Sequence, residues 1–366
     1  MPSIIVSTCG TSILTNGITD ELRSLLQRTA NHLEGELEAE ERSRIDLHLQ
    51  SRDRELAKCA SFDEARNASA ELNGLFGIYE NQPAKGKGDI HFLLHTDTYQ
   101  GEKSAILLQG WCERKGMNTQ TYRVESLNTK NVDEFRVGIG NLMHWCQETL
   151  PGYRASGHKI IFNLVGGFKS LQGYMQTLGM LFADESVYVF EGERTLLRIP
   201  RLPLDLDAAS RESMRKHYAI FRTLLRQSLP ASECSSMPET FLYCVDGECT
   251  LSDWGRLLWD RFKGEFYKKK LLPPPSPKIR YGRTIEKDIA ALDPHQVGEI
   301  NAKMDELARF IEKGQSIKSL GFKKLAGNPV PGCNHEFYLW SDKDAARGFG
   351  FYDGEVFVFD KMRPHL

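Results

Sequence analysis

The chain has 366 residues, with 47 basic and 49 acidic side chains. This length is enough for two or three domains, each with a buried core. The near balance of charge excludes a protein that coats nucleic acid over its whole surface, so any basic surface must be local.

Cysteine usage and the amino terminus both predict a soluble, cytoplasmic protein with no membrane partner. No CxxC pair occurs, which supports neither a zinc site nor a disulfide framework and predicts reduced, buried thiols. MPSIIVSTCG has no basic n-region, and no apolar run approaches the roughly eighteen residues that span a bilayer. The eight cysteines are Cys9, Cys59, Cys112, Cys146, Cys234, Cys244, Cys249 and Cys333.

The chain begins with a strand of β-branched residues, Ser3 to Ser7, followed by a turn in which hydroxyl side chains flank Gly10. Such a loop either binds phosphate or only caps the next helix. Charged helices follow, with Glu and Arg at three- and four-residue spacings that predict solvated faces, Glu71 included. These helices are Asp20 to Leu33, Glu36 to Lys58 and Phe62 to Leu75.

Strands then alternate with helices. The predicted elements are strand Ile90 to His95, helix Tyr99 to Lys115, strand Thr121 to Val124, helix Val132 to Leu150, strand Lys159 to Leu164, helix Ser170 to Leu181 and strand Ser186 to Glu191. This order predicts an α/β fold with a parallel sheet and helices on both faces. The fingerprint GxGxxG is absent after the first strand, which excludes an ordinary NAD domain.

The turn between Leu164 and Ser170 contains Gly166, Gly167 and Lys169. Free backbone N–H groups, the helix dipole and the lysine charge together predict a phosphate site. The sequence lacks the Walker A spacing, which disfavours ATP hydrolysis. In the alternative interpretation the glycines only allow helix and strand to pack, and Lys169 is solvated.

The segments STCGTSILTN and NLVGGFKSLQGYMQTLG resemble the two signature motifs of CRISPR-associated Rossmann fold (CARF) sensor domains. The resemblance covers roughly the first half of the chain and implies a Rossmann-like sensor over residues 1–205. It implies a homodimer that binds cyclic oligoadenylate, most often cyclic tetra-adenylate, as an allosteric activator, with no other cofactor. The implied ligand-binding residues are Gly10, Thr11, Ser12, Thr96, Asp97, Thr98, Asn163, Gly166, Gly167, Phe168 and Lys169.

The alternation of strands and helices does not continue into residues 206–275. A helix from Arg211 to Leu225, a Ser/Pro-rich turn and a helix from Leu251 to Lys270 predict a helical linker that also packs a dimer. The segment CVDGECTLSDWG also fits a winged-helix fragment, in which the second helix would touch nucleic acid. The proline run Pro273 to Pro277 predicts a domain boundary.

Residues 276–366 predict a compact α+β domain. Asp293 caps a helix that begins at Pro294 and ends at Lys313-Gly314, and Asp353-Gly354 is a strong hairpin signal. The predicted strands are Ile317 to Leu325, Glu336 to Trp340, Arg347 to Tyr352 and Glu355 to Asp360.

This pattern of IEKDIAALD, FKKLAG, EFYLW and ARGFGFYDGEVFVF resembles the RelE superfamily of toxin ribonucleases. The resemblance implies metal-free cleavage of messenger RNA on the ribosome, with the RNA 2′-hydroxyl as nucleophile. No metal site is predicted. The implied catalytic residues are Lys323, Lys324, His335, Glu336, Arg347, Arg363 and His365, and Tyr352 and Lys361 are also available for proton transfer.

The leading hypothesis is therefore a metal-independent endoribonuclease of type III CRISPR defence, activated by cyclic oligoadenylate and acting on ribosome-bound messenger RNA. One alternative is a ring nuclease, in which Ser12 and Lys169 promote cleavage of the cyclic ligand. Another is a ligand-responsive DNA-binding regulator that uses the Leu251 to Lys270 helix. Asp246, Glu248 and Asp253 beside that helix weigh against tight DNA contact.

Overall fold

The structure is a computed structural model that describes residues 2–59, 62–190, 195–203, 205–283, 285–314, 317–327, 329–340 and 345–364. The chain forms two compact units, Met1–Asp205 and Leu206–Leu366, which we call unit 1 and unit 2. Among the described helices, none is both long and apolar enough to cross a membrane.

Unit 1 is built on a six-stranded sheet with the strand order β3-β2-β1-β4-β5-β6. Strands β1 to β5 pair in parallel, which confirms the predicted α/β fold class, and β6 pairs with β5 in the antiparallel direction. The antiparallel strand β6 was not predicted. The strands are β1 (Ser3–Thr8), β2 (Ile90–His95), β3 (Asn118–Arg123), β4 (Lys159–Asn163), β5 (Glu185–Val189) and β6 (Leu196–Pro200).

Helices cover both faces of this sheet, as predicted. On one face Ile5, Leu93 and Ile161 join a core with the early helices, and on the other Phe92 packs against Trp145 at 5.3 Å between ring centroids. Burial on both faces explains why the central strands are almost continuously apolar. The helices are α1 (Ser12–Thr15), α2 (Asp20–Arg28), α3 (Ala39–Lys58), α4 (Phe62–Ala68), α5 (Ala70–Ile78), α6 (Tyr99–Arg114), α7 (Val132–Ala155) and α8 (Lys169–Phe182).

The predicted helix from Phe62 to Leu75 is wrong in one respect, because it is two helices that meet at Ser69. Ser69 is extended (φ −150°), and its hydroxyl accepts hydrogen bonds from the N–H groups of Glu71 and Leu72, so it caps α5. The new helix carries Glu71 inward, where it is 1% exposed. The predicted solvated face is therefore wrong for this residue.

The order of the strands creates a switch point between β1 and β4. From β1 the chain builds β2 and β3 to one side, and then returns to build β4 and β5 on the other. In open α/β sheets, ligands bind beyond the carboxyl ends of the strands at such a point. The two loops there are residues 10–12, which we call the β1 loop, and residues 166–169, the β4 loop.

The first part of unit 2 contains a three-stranded antiparallel sheet of order β7-β9-β8 and a core around Phe221 and Trp259. Each of the two long predicted helices is in fact two shorter ones. The strands are β7 (Leu229–Pro230), β8 (Leu242–Val245) and β9 (Glu248–Leu251), and the helices are α9 (Ala208–Lys216), α10 (Tyr218–Leu224), α11 (Ala231–Cys234), α12 (Asp253–Phe262) and α13 (Gly264–Tyr267).

The prediction that all the cysteines are reduced is wrong for one pair. Strands β8 and β9 form a hairpin through Asp246 and Gly247, which both have positive φ, at 51° and 81°. This turn places Cys244 directly opposite Cys249, and the two form a disulfide. Directly opposed side chains in an antiparallel pair are close enough for this bond.

The second part of unit 2 is a five-stranded sheet of order β10-β14-β13-β12-β11. The helix capped by Asp293 and ended by Gly314 is confirmed, as is the hairpin at Asp353-Gly354. The predicted strand from Ile317 to Leu325 shortens to two residues, and β10 was not predicted. The strands are β10 (Ile279–Tyr281), β11 (Lys323–Lys324), β12 (His335–Trp340), β13 (Ala346–Asp353) and β14 (Val356–Pro364), and the helices are α14 (Ile285–Ala290) and α15 (Pro294–Lys313).

Two buried arginines on and after α10 join the parts of unit 2. Arg222 donates to Asp305 of α15 at 2.6 Å and to the carbonyl of Pro273 at 2.8 Å. Arg226 donates to Glu312 of α15 at 2.8 Å and also to the carbonyl of Pro275. The residues predicted as a linker are thus tied to the proline run and to α15, while the predicted boundary after residue 275 stays a prediction.

We expect Arg222→Ala to destabilise unit 2 by about 3 kcal/mol, because Asp305 would keep a partly buried charge without its cation. Differential scanning calorimetry of the whole protein measures this as an earlier transition of unit 2. Arg215→Ala is the matched control: its partner Glu212 and Arg215 itself are both more than half exposed, so a change of no more than about 0.5 kcal/mol is expected. Equal effects of the two variants would contradict this account.

Candidate functional site

The β1 loop is fastened to the start of α5 by the carboxylate of Glu71. The Gly10 N–H donates to Oε1 at 2.7 Å, and the Ser12 hydroxyl donates to Oε2 at 3.1 Å. The Ser69 hydroxyl donates to Oε2 at 2.5 Å, and the Ala70 N–H donates to the Ser12 hydroxyl at 3.1 Å. Two of the predicted phosphate-binding groups, the Gly10 N–H and the Ser12 hydroxyl, are therefore engaged by a side chain of the protein.

The two glycines of the β4 loop are each required for a different structural reason. A Cβ on Gly166 would lie 2.1 Å from Oε1 of Glu71, so the missing side chain makes room for that carboxylate. Gly167 has φ +92°, a region that favours glycine. A Cβ on Gly10 would lie 3.1 Å from the Gly167 nitrogen, so the two loops pack against each other.

The rest of the β4 loop presents free donors. Within the described ranges, the N–H groups of Gly167 and Phe168 donate to no protein acceptor, and α8 begins without a side-chain cap. The first N–H groups of a helix have no intrahelical partner. Lys169 is exposed beside them. This arrangement can bind an anion.

The loop of residues 96–98 follows β2, the neighbour of β1 in the sheet, but its polar groups are used locally. Thr98 caps α6 by accepting from the Gly101 N–H at 3.1 Å, and its hydroxyl lies 2.9 Å from that of Thr96. Asp97 accepts from the Ser126 N–H at 2.8 Å and pairs with Arg123, on the side of β3. The Asp97 carboxylate thus contacts β3 and the segment after it.

Asn163 lies beneath the loops. Its side chain is fully buried and donates to the Ser7 hydroxyl and to the carbonyl of Glu71, each at 3.1 Å. It joins β4, β1 and α5. Among the predicted ligand-binding residues, the structure leaves Thr11, Gly167, Phe168 and Lys169 partly or fully exposed, and the Phe168 ring meets that of Phe135 at 5.9 Å between centroids.

In unit 2 the strand register assembles polar side chains on the face of the sheet opposite α15, beside a small apolar cluster of Phe349, Val330 and Cys333. Glu336 lies directly opposite Phe349 and is 5% exposed. Lys323 pairs with Glu336, Tyr338 with Arg347, and Arg347 with Arg363. Directly opposed residues point to the same side of a sheet, and alternate residues of a strand share a face. We call this surface, with Lys361, the open face.

Glu336 is the electrostatic centre of the open face. Nη1 of Arg347 lies 2.8 Å from both carboxylate oxygens, and Nζ of Lys323 lies 3.1 Å from Oε1. The Arg347 guanidinium also stacks over the Tyr338 ring at 5.2 Å. Burial would raise the pKa of Glu336, but the hydrogen bonds and charges of Arg347 and Lys323 outweigh burial and lower that pKa.

The other predicted catalytic residues lie elsewhere. Lys324 and His335 pair with each other on the opposite face from Glu336, where His335 stacks on Phe322 at 5.3 Å and meets the Tyr352 ring at 5.2 Å. Burial, with a smaller effect of Lys324, lowers the pKa of His335. His365 lies outside the described residues. The predicted set is therefore divided between two faces.

Two residues contribute to these sites although the sequence does not assign them there. The spacing of charges predicts a solvated helix face for Glu71, and Tyr338 lies in the predicted strand Glu336 to Trp340. The pattern Ser69-x-Glu71 is the available signal for Glu71. A Ser at this position can cap a new helix, and the new helix presents different residues to the core. Across the described ranges, no group of three or more His, Cys, Asp or Glu is placed to hold a metal ion.

A cleft of about 640 Å³ in unit 2 is separate from both sites. The residues that line it include Lys268, Leu272, Tyr281, Ile289 and Val297. None of the described lining residues belongs to the predicted catalytic set.

Residues 66–202 match the model of a family described as CRISPR-associated protein (Cas_APE2256). The matched segment lies within unit 1 and includes Glu71 and the β4 loop, but not the β1 loop. This match supports a CRISPR association. No curated protein matches the chain.

We expect the pKa of His335 to lie below its ordinary value of 6.5, so that the ring is neutral at pH 7. Lys324→Ala should raise this pKa, because a positive neighbour disfavours the imidazolium. Lys323→Ala is the control, since Lys323 lies on the open face with Glu336. Proton NMR titration of the histidine C2–H measures the pKa of His335 in the wild type and in the two lysine variants. His335→Gln assigns the resonance. A wild-type pKa above 6.5 would contradict the prediction.

Proposed function

We propose that the protein is a metal-independent endoribonuclease of CRISPR defence, in which unit 1 binds cyclic oligoadenylate and unit 2 cleaves RNA. Within this proposal the ligand is cyclic tetra-adenylate, the active form is a homodimer, and the substrate is messenger RNA on the ribosome. The observation that carries it is the cationic open face of unit 2.

The open face places two arginines at directly opposed positions. Arg347 of β13 faces Arg363 of β14. Like charges opposite each other destabilise a sheet, so their presence favours a function that brings an anion between them. The planar guanidinium suits the oxygens of a phosphate, and two such groups match the extra charge of a phosphorane.

Glu336 is the general base in this proposal. Its lowered pKa makes it a weak base while Arg347 and Lys323 hold it. A phosphate on the open face would draw both cations toward itself. The same step would release the carboxylate and raise its pKa, so that it can accept the proton of the 2′-hydroxyl. Arg363 and Lys323 would then share the charge of the phosphorane with Arg347. The bond from phosphorus to the 5′-oxygen would break and that oxygen would take a proton from water, which gives a 2′,3′-cyclic phosphate and a 5′-hydroxyl end.

His335 has a different place in the mechanism from the one that the RelE resemblance implies. It lies on the opposite face of β12 from Glu336, and its lowered pKa leaves it mostly neutral at pH 7. With Phe322 and Tyr352, it is placed to stack on a base or to support β12. This position does not favour donation of a proton to a leaving group on the open face.

Three features of unit 1 support the ligand part of the proposal. The free amides of the β4 loop and the charge of Lys169 suit a phosphate, and the site lies at the switch point of the sheet. The family match adds the CRISPR association. A cyclic ligand with an even number of nucleotides can share the two-fold axis of a homodimer, so each subunit would bind half of the ring.

No observation favours either alternative. The Ser12 hydroxyl, which the ring-nuclease hypothesis needs, donates to Glu71 and accepts from Ala70. The helix that a DNA-binding regulator would use is divided into α12 and α13, and Trp259, Phe262 and Tyr267 bury much of it in the core of unit 2.

We expect Arg347→Ala to reduce RNA cleavage about a hundredfold, since it removes charge stabilisation of about 3 kcal/mol from the phosphorane. The assay follows cleavage of ribosome-bound message with saturating cyclic tetra-adenylate. Arg280→Ala is the matched control, because Arg280 lies in the same sheet but pairs with Asp353 on β13 at an exposed position. Full activity of Arg347→Ala would place the centre elsewhere. Loss of activity in EDTA with intact ribosomes would contradict the metal-free mechanism.

We expect Lys169→Ala to weaken binding of cyclic tetra-adenylate by about tenfold or more, because a hydrogen bond to a charged group is worth roughly 1.5–3 kcal/mol. Isothermal titration calorimetry measures the affinity. Lys159→Ala, at the opposite end of β4 and paired with Glu185, should bind as the wild type does. Unchanged affinity of Lys169→Ala would remove the β4 loop from the ligand site.

A further inference from the structure

Glu71 is a buried carboxylate that is held by neutral groups. Its three donors are one backbone N–H and two serine hydroxyls, and none of the ion pairs in the described ranges includes it. Burial of a charge is costly unless hydrogen bonds compensate. The first turn of α5 adds compensation, because a negative charge is favoured at a helix N-terminus.

The choice of a carboxylate at this position requires an explanation. A glutamine could accept the Gly10 N–H through its amide oxygen, but its NH2 group could not accept from the Ser12 and Ser69 hydroxyls as Oε2 of Glu71 does. The carboxylate therefore engages donors that a glutamine would leave free. It also places a negative charge against Gly166, next to the predicted phosphate site.

The hydrogen bonds of Glu71 make the two loops at the switch point chemically unequal, although its charge lies against both. The β1 loop has used its Gly10 N–H and Ser12 hydroxyl on Glu71, whereas the Gly167 and Phe168 N–H groups of the β4 loop have no acceptor among the described residues. A phosphate over the β1 loop would find these two donors already engaged, and over the β4 loop it would find two free N–H groups.

We propose that Glu71 is a specificity-determining residue that closes the β1 loop to phosphate. It directs the phosphate of a nucleotide ligand to the β4 loop and leaves an uncharged ribose or base over the β1 loop. This inference deepens the proposed function of unit 1 and rests on it for the identity of the nucleotide.

The first test compares wild type, Glu71→Gln and Ser69→Ala. Binding of inorganic pyrophosphate and of cyclic tetra-adenylate is measured by calorimetry at several potassium chloride concentrations, after thermal unfolding has shown that each variant is folded. We expect Glu71→Gln to bind pyrophosphate on the order of tenfold more tightly, because a like charge is lost and the Ser12 hydroxyl is freed. The affinity of this variant should fall more steeply with rising salt, because salt screens an attraction that the lost charge no longer opposes.

Ser69→Ala is the matched control, because it removes a hydrogen bond from Glu71 but keeps the charge. Its salt dependence should equal that of the wild type. Unchanged or weaker pyrophosphate binding by folded Glu71→Gln would overturn the inference, as would a steeper salt dependence in Ser69→Ala. A purely structural role of Glu71 predicts weaker binding in both variants and no steeper salt dependence in either.

A second test needs no change at Glu71. In wild-type protein labelled with ¹⁵N-glycine, one spectrum reports both Gly10 and Gly167, with Gly10→Ala used to assign the first. Pyrophosphate should shift Gly167 and leave Gly10 in place. An equal shift of Gly10 would overturn the inference, as would a failure of pyrophosphate to bind the wild type. If the wild type binds pyrophosphate but does not bind cyclic tetra-adenylate, only the proposed ligand is contradicted. The Glu71→Gln comparison with pyrophosphate would still decide the inference.

Discussion

The hydrogen bond between the Gly10 N–H and the Glu71 carboxylate is the interaction on which the geometry of unit 1 depends at its switch point. It joins β1 to α5 at 2.7 Å, and it requires Gly166 to lack a side chain. It also requires Ser69 to end α4 and begin α5, since a continuous helix would not carry Glu71 inward. Two loops and two helices are therefore constrained by one carboxylate.

The parts of the fold that local patterns determine could be predicted from the sequence. The central strands are apolar runs buried on both faces, and α15 has a capping box at one end and a left-handed glycine at the other. Strand β6 could not be predicted in this way, because Leu197 and Ile199 remain exposed and give no core signal. The Cys244–Cys249 disulfide follows only once the Asp246-Gly247 turn fixes the register of its hairpin.

The site was harder to predict than the fold, because its contacts are distant in sequence. The loops of residues 10–12, 96–98 and 166–169 lie at the carboxyl ends of neighbouring strands, as the α/β order requires. The partners of Glu71 in the β1 loop are 61 and 59 residues away, and no spacing rule connects them. In unit 2 the basic residues were identified by type, but the division between the two faces depends on the register of β11 with β12, which a two-residue strand does not reveal.

The carboxylates of the two sites differ in what holds them, and this difference determines what each can do. Glu336 is held by Arg347 and by Lys323, whose side chain is more than half exposed, so an incoming phosphate competes with it for the same cations. Glu71 is held by a backbone N–H and serine hydroxyls inside the fold. An incoming anion that took these donors would leave the buried carboxylate without hydrogen bonds, and this cost would cancel the gain. Competition can therefore rearrange the open face of unit 2. The β1 loop of unit 1 is fixed by the hydrogen bonds of Glu71, so under the proposed function selection of a ligand there would depend on the β4 loop, where the donors are free.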